Sequence, residues 1–276
     1  MPAHRNSVAP ARPARAALCA FVLALAVAAC DRTPAPEPEP EPRPPEPAPA
    51  PVTPPIAPMS RVELLQALDA AASSFVGGQT VPASPRLAGR QFMLVQAFGC
   101  GGARPTSAEP GVASVERGGD GALTLSLRPA DWSETALIRA AAPQAEAVEG
   151  LWVTRPWLRG TGCPTVRPDP LTPGAVSAQT YGLAAIFEEG GSRVARRDGR
   201  AYRHVIRAEE GAAPVEVPPE GYRLVVEGRL TAFPDGRAVR CSASGPDQRP
   251  SCIAAVEIDR VAFTDAAGAT LSEWRS

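Results

Sequence analysis

Thirteen of the twenty-six residues from Thr33 to Pro58 are proline, and no other segment restricts folding as much. Each proline holds φ at about −65° and lacks an amide hydrogen, so neither a helix nor a sheet ladder can run through the stretch. The Glu-Pro alternation through Glu37, Glu39 and Glu41 adds charge without apolar surface. Residues 30–58 are therefore expected to be a disordered spacer, its Thr33–Pro58 stretch of polyproline II character reaching roughly 80 Å at ~3.1 Å per residue. The folded body then occupies 59–276.

Ahead of the spacer, Arg5, Arg12 and Arg15 precede an uncharged run from Ala16 to Ala29. A run of about 14 residues is too short for a bilayer core, which needs about 20, and has the layout of a secretory signal. It closes on Val27-Ala28-Ala29-Cys30. These residues resemble the lipobox of bacterial lipoproteins, a resemblance confined to residues 1–30. It implies a signal peptide over 1–29, with Cys30 diacylated, made the first mature residue and acylated again, palmitate being the usual second acyl group. Several acyl chains hold firmly where one gives only marginal binding. The implied location is the periplasmic face of the cell envelope, with the membrane as first partner. Asp31 is an inner-membrane retention mark in enteric lipoproteins, and other lineages sort differently, so the resemblance leaves the choice of membrane open.

Composition removes several chemistries. All 28 basic residues are arginine, and after Cys30 the one histidine is His204. Without lysine there is no P-loop lysine, Schiff-base lysine or Ser-x-x-Lys dyad. One histidine excludes a paired-histidine zinc site. No metal or cofactor is expected. Beyond Cys30, 25 arginines face 29 acids, and this net negative balance lacks the basic field that nucleic acids require.

Cys100, Cys163, Cys241 and Cys252 remain in the body, none spaced Cys-x-x-Cys. In an oxidising compartment an even number reads as disulfides. Of three pairings, Cys241 with Cys252 and Cys100 with Cys163 is favoured, because a proline-rich stretch from Cys163 to Pro173 leaves one pair on each side. A free thiol at Cys100, within Phe98-Gly99-Cys100-Gly101-Gly102, is the alternative.

Ser60-Arg61-Val62-Glu63 has capping-box spacing, and Val62, Leu65, Leu68 and Ala72 follow at helical intervals. One short helix is predicted, lidding a sheet edge or barrel end. The period then changes to two. Leu123, Leu125 and Leu127 alternate with polar residues, as do Tyr222, Leu224, Val226 and Leu230. Further strands are expected at 92–98, 151–154, 181–187, 202–207 and 253–263, the last with a phase change near Asp259-Arg260 that calls for a bulge. Phe233-Pro234-Asp235-Gly236-Arg237 and Asp198-Gly199 read as hairpin turns. The expected fold is all-β, mainly an antiparallel sandwich or barrel, in halves 84–166 and 175–276, the second half OB-like.

Three groups of residues have chemistry to weigh. Arg193, Arg196, Arg197, Arg200, Arg203 and Arg207 crowd one predicted hairpin and suit bidentate binding of anions. Glu188, Glu189, Glu209 and Glu210 stand at its far ends and would neutralise much of that charge. Trp152 and Trp157, flanking Arg155-Pro156, would make an aromatic patch if exposed, and with Trp132 they would make core if buried. His204 shares a strand face with Tyr202 and Ile206, with no Gly-x-Ser-x-Gly elbow beside it, so no catalytic residue is assigned. Asp131, Glu134, Asp198, Asp235 and Asp259 supply the carboxylates for any acid pair. The expectation is a membrane-anchored envelope lipoprotein with a non-catalytic binding or assembly domain, its further partner an envelope protein or peptidoglycan. The alternative is an anchored hydrolase of envelope polymers that uses two carboxylates.

Overall fold

The computed structural model describes residues 56–79, 87–104, 109–166, 177–191 and 195–276; Cys30, the signal segment and nearly all of the spacer lie outside them. In chain order the elements are α1 (Arg61–Val76), β1 (Gln91–Phe98), β2 (Ser114–Arg117), β3 (Leu123–Leu127), β4 (Ala130–Asp131), α2 (Ala136–Ala141), β5 (Ala145–Trp152), β6 (Tyr181–Glu188), β7 (Tyr202–Ile206), β8 (Tyr222–Leu230), β9 (Val239–Ser242), β10 (Ser251–Thr264) and β11 (Thr270–Arg275). They form an all-β body of two sheets with two short helices.

Eight strands make the large sheet, in the order β1-β8-β10-β6-β5-β4, with β9 and β11 also on β10. The small sheet is β2-β3-β7. Every pairing is antiparallel except β6 with β10. The expected halves are not separate bodies. β1 pairs with β8, β5 with β6 and β3 with β7, so both sheets draw strands from both halves. Nor does 175–276 close as an OB-like barrel, because β7 leaves it for the small sheet. The reason lies in β6: Tyr181 to Ala185 are all buried, and such a strand needs covered faces and paired edges that its own half does not supply.

β10 is the axis of the large sheet. One edge takes β8 and β9, and the other takes β6 and then β11. Its register on β8 slips between Ile258 and Arg260, making Asp259 the extra residue of a bulge where the apolar phase changes. Val256 before the bulge and Val261 and Phe263 after it thus join the same core. Gly228 stands opposite Ile258, where a Cβ would lie 2.1 Å from the Glu257 carbonyl oxygen.

The Phe233–Arg237 turn forms, with the Phe233 amide donating to the Arg237 carbonyl at 2.8 Å. It does not join paired strands, however. Leu230 lies opposite Val256 and Val239 opposite Ala254, so β8 and β9 continue one another along the same edge of β10. Residues 231–238 loop out between them, bridged only where Thr231 donates to Ala255 and Ala255 donates to Ala238. A turn sequence reports a chain reversal, and here two reversals cancel.

Helix α1 starts as its cap predicts, with Ser60 Oγ accepting from the Glu63 amide and the Glu63 carboxylate accepting from the Ser60 amide. It buries Leu64, Leu65, Leu68 and Ala71 and leaves Val62 exposed. Instead of lidding an edge, it packs against β1, β9 and β10. The main core lies among this helix, the small-sheet residues Leu123, Leu125 and Leu127, and large-sheet residues such as Phe92, Leu224 and Phe263. A second, smaller core gathers Trp132, Ile138, Ala184, Phe233 and Ile253. Trp132 lies over Gly150 and Gly182, where any Cβ would come within 2.1 and 2.5 Å of its ring.

Disulfides join Cys100 to Cys163, with Cα atoms 5.5 Å apart, and Cys241 to Cys252, 4.1 Å apart and directly opposite in the β9–β10 ladder. On the chain-entropy account, loops of these lengths contribute about 3 to 4 kcal/mol each.

Gly228→Ala should destabilise the fold by about 2 to 3 kcal/mol, because the added methyl meets backbone and not a movable side chain. Gly245→Ala, whose Cβ would have no atom closer than 3.9 Å, should change stability by less than about 0.5 kcal/mol. Thermal denaturation followed by circular dichroism separates the two; equal melting temperatures would contradict this account of the bulge.

Candidate functional site

The edge of β10 that carries β6 and β11 is interrupted. β6 pairs as far as Ala185, opposite Val256, and the pairing with β11 starts only at Arg260, opposite Arg275, the last residue of β11. A parallel strand leaving and an antiparallel strand arriving cannot both cover the residues between. A cavity of about 760 Å³ opens there. Leu151, Ala185, Phe187, Val256, Val261 and Trp274 give it apolar walls, and Glu149, Arg197 and Tyr202 stand among its polar lining. Its size falls within the range of small-molecule sites, roughly 300–1,000 Å³.

Glu149 reaches this cavity from β5. Its Oε1 accepts from the amides of Arg197 and Asp198, each at 2.8 Å. Burial raises the carboxyl above its ordinary pKa, and the neighbouring Asp198 charge adds to this. The two amides and Arg196 oppose the rise without cancelling it. The Arg197 guanidinium lies 4.5 Å above the Tyr202 ring and donates to the Ala201 carbonyl at 3.0 Å. Burial raises the Tyr202 hydroxyl to about 12, so it is neutral at ordinary pH.

Within the arginine cluster, Arg196, Arg197 and Arg200 are therefore committed to their own chain. Arg196 pairs with Glu146 at 3.0 Å and with Asp198, and Arg200 donates to the carbonyls of Arg197 and Arg196. Arg203 and Arg207 are exposed, and Arg193 lies outside the described residues. The acids that meet these arginines include Glu146 and Glu149 from β5, distant in sequence, which reasoning about one hairpin had no means of finding. The Asp198-Gly199 turn exists, with φ of 52° and 75°, and the strand after it, β7, pairs with β3.

Trp152 is drawn into the second core, its ring centroid 4.6 Å from that of Trp132, so it forms no surface patch with Trp157. Trp157 is 56% exposed. His204 faces inward, half-buried, opposite Leu125. Of the carboxylates singled out, Asp131 accepts from the Ser133 amide at 3.0 Å, Glu134 pairs with Arg139 at 3.8 Å, and Asp235 pairs with Arg240 at 2.7 Å. Asp259 lines the cavity, and Asp198 stands beside another acid, Glu149.

Among the described residues, no group of three or more His, Cys, Asp or Glu side chains could hold a metal ion, and no helix is long and apolar enough to cross a membrane. No known protein family, curated protein or solved structure matches the chain.

Glu149 gives a pH signature of definite sign. Its folded pKa lies above the ordinary 4.5, so its contribution to stability is complete below that value and is lost as pH rises through the raised pKa. Glu149→Gln removes that titration. The melting temperature of the parent minus that of the variant should fall as pH goes from about 4 to 8. A difference that stays flat across that range would mean the carboxyl titrates normally.

Proposed function

We propose that this chain is a lipid-anchored protein of the bacterial envelope whose β body is a non-catalytic binding module, with the cavity at the sheet break as its ligand seat. The cavity is the observation that carries this reading. Its walls bury apolar surface, while Glu149 Oε1 and the Arg197 guanidinium are already held by their neighbours, an arrangement suited to retaining a ligand and not to moving protons. The ligand class is a compact amphipathic molecule, its apolar body against Leu151, Phe187 and Trp274 and its polar end toward Glu149 and Arg197.

The lipobox at Val27–Cys30 supports the anchor, and the Thr33–Pro58 spacer lets the module work away from the bilayer. The paired cysteines agree with an oxidising compartment. A hydrolase reading draws on one observation, the raised pKa of Glu149 beside Asp198. Against it, both amide contacts pin the Oε1 atom as a structural acceptor.

Two measurements test the proposal. Cys30→Ser should abolish lipid attachment, so that the chain expressed in a bacterial envelope no longer partitions into the detergent phase. Binding of 1-anilinonaphthalene-8-sulfonate, read by its fluorescence, should saturate at one site, and Ala185→Phe should weaken it at least 10-fold by filling the cavity. Unchanged partition would overturn the anchor, and unchanged dye affinity would overturn the seat. Breakdown of envelope polymer that Glu149→Gln abolishes would replace the binding reading with the hydrolytic one.

A further inference from the structure

A second cavity, of about 340 Å³, lies away from the sheet break, beside the loop that follows β5. Trp157 is on this loop, and its exposed ring lines the cavity. An exposed tryptophan on a mobile loop would mean little, but this loop is held firmly. Arg61, the first residue of α1, is 3% exposed and donates to the carbonyls of Thr154 at 2.8 Å, Arg155 at 3.1 Å and Leu158 at 3.2 Å. Burial, and after it Arg155 and Arg159, lower the Arg61 guanidinium to about 10, so it still carries its charge at neutral pH. Gln96 braces the loop from β1, its Oε1 accepting from the Thr154 amide at 3.1 Å. Arg159 reaches Asp69 on α1, and Cys163 is bonded to Cys100. Arg155 sits at φ 49° immediately before Pro156, a conformation that side chains and a following proline both disfavour.

The cavity lining also includes polar groups left unpaired among the described residues. Ser114, 9% exposed, and Thr154 both line it, and the Ser114 Oγ and Thr154 Oγ1 atoms are buried without a hydrogen-bond partner among the described residues. Leaving such a group unpaired is costly, and a hydroxyl that rotates toward the cavity would gain a partner from a ligand held there. Gln179 and Glu109 add further hydrogen-bonding groups to the lining.

We infer that this cavity is a saccharide subsite that takes one hexopyranose ring of an envelope glycan, stacked on Trp157 and hydrogen-bonded through Ser114 and Thr154. A pyranose offers an apolar face of axial C–H bonds and a rim of hydroxyls that both donate and accept. That pattern matches an aromatic plane beside unpaired hydroxyls. The lining holds Arg104 beside Glu109, and the Arg155 guanidinium is turned to the Ala97 carbonyl, so the hydroxyls and the Trp157 ring, not a free cation, set the preference, and competition by an anion is one outcome of the test. This subsite is separate from the cavity at the sheet break, and its occupancy does not require that the first cavity bind anything.

Saturation-transfer NMR on the exported full-length protein, with N,N′-diacetylchitobiose and maltose as probes, tests the subsite. Transfer to the ring protons of at least one disaccharide is expected, with saturable binding in the millimolar range. Trp157→Ala should weaken it at least 10-fold and Ser114→Ala several-fold, while Gly245→Ala leaves it unchanged. Trp157 is exposed, so its variant should keep the parent melting temperature, and the loss can be read as loss of contact. Absence of transfer from both sugars, transfer indifferent to Trp157→Ala, or competition by inorganic phosphate would each overturn the inference.

Discussion

The one-residue bulge at Asp259 in β10 is the constraint on which the arrangement of the large sheet depends. A strand of 14 residues with strict alternation would turn its second half's apolar side chains away from the core filled by its first half, unless the core changed sides with it. The extra residue resets the phase, so Cys252, Ala254 and Val256 before it and Val261 and Phe263 after it face one interior. It can exist because Gly228 on β8 leaves room for the displaced Glu257 carbonyl. Four strands then share β10, two on each edge, and neither edge is covered in one continuous piece. On one edge the break is bridged by the loop 231–238; on the other it opens as the larger cavity.

Charge in this protein is handled almost wholly by arginine. A planar guanidinium can satisfy several acceptors at once, which a lysine ammonium does with less directional control. Arg61 uses this to hold three main-chain carbonyls of one loop while buried, and Arg260 joins Glu227 and Glu273 across three adjacent strands at 2.7 and 2.8 Å. Exposed pairs such as Arg229 with Glu257 contribute little to stability, typically below about 1 kcal/mol, and they account for charge more than for folding energy. The same commitment takes Arg196, Arg197 and Arg200 out of the arginine-rich segment's capacity for an external anion and leaves Arg203 and Arg207 exposed.

The two cavities differ in kind. The larger is a consequence of strand topology and has apolar walls, so its affinity would come from buried area. The smaller lies beside a braced loop and keeps hydroxyls unsatisfied, so its selectivity would come from hydrogen bonding. A module with both would hold its ligands by separate physical means.

Much of the local structure was legible in the residues. The Ser60 capping box marked the start of α1, alternation located β3 and β8, and the shift from Val256 and Ile258 to Val261 and Phe263 marked the bulge. Short strands with weak patterns, β2, β4, β9 and β11, and the six-residue α2 carried too little periodicity to be seen. The Phe233–Arg237 turn was visible, but not that its flanking strands run on in line along β10. Of the sites, Trp157 and the arginine cluster could be named in advance. That Trp152 is drawn inward, that Glu149 and Glu146 meet the arginines, and that the Ser114 and Thr154 hydroxyls are left without partners among the described residues depended on strands far apart in the chain coming together. A side chain's neighbours along the chain determine its conformation and the face it takes. Which strand lies beside it, and hence what it buries or leaves unpaired, is decided only when distant segments pack, because that choice minimises exposed apolar area over the whole molecule.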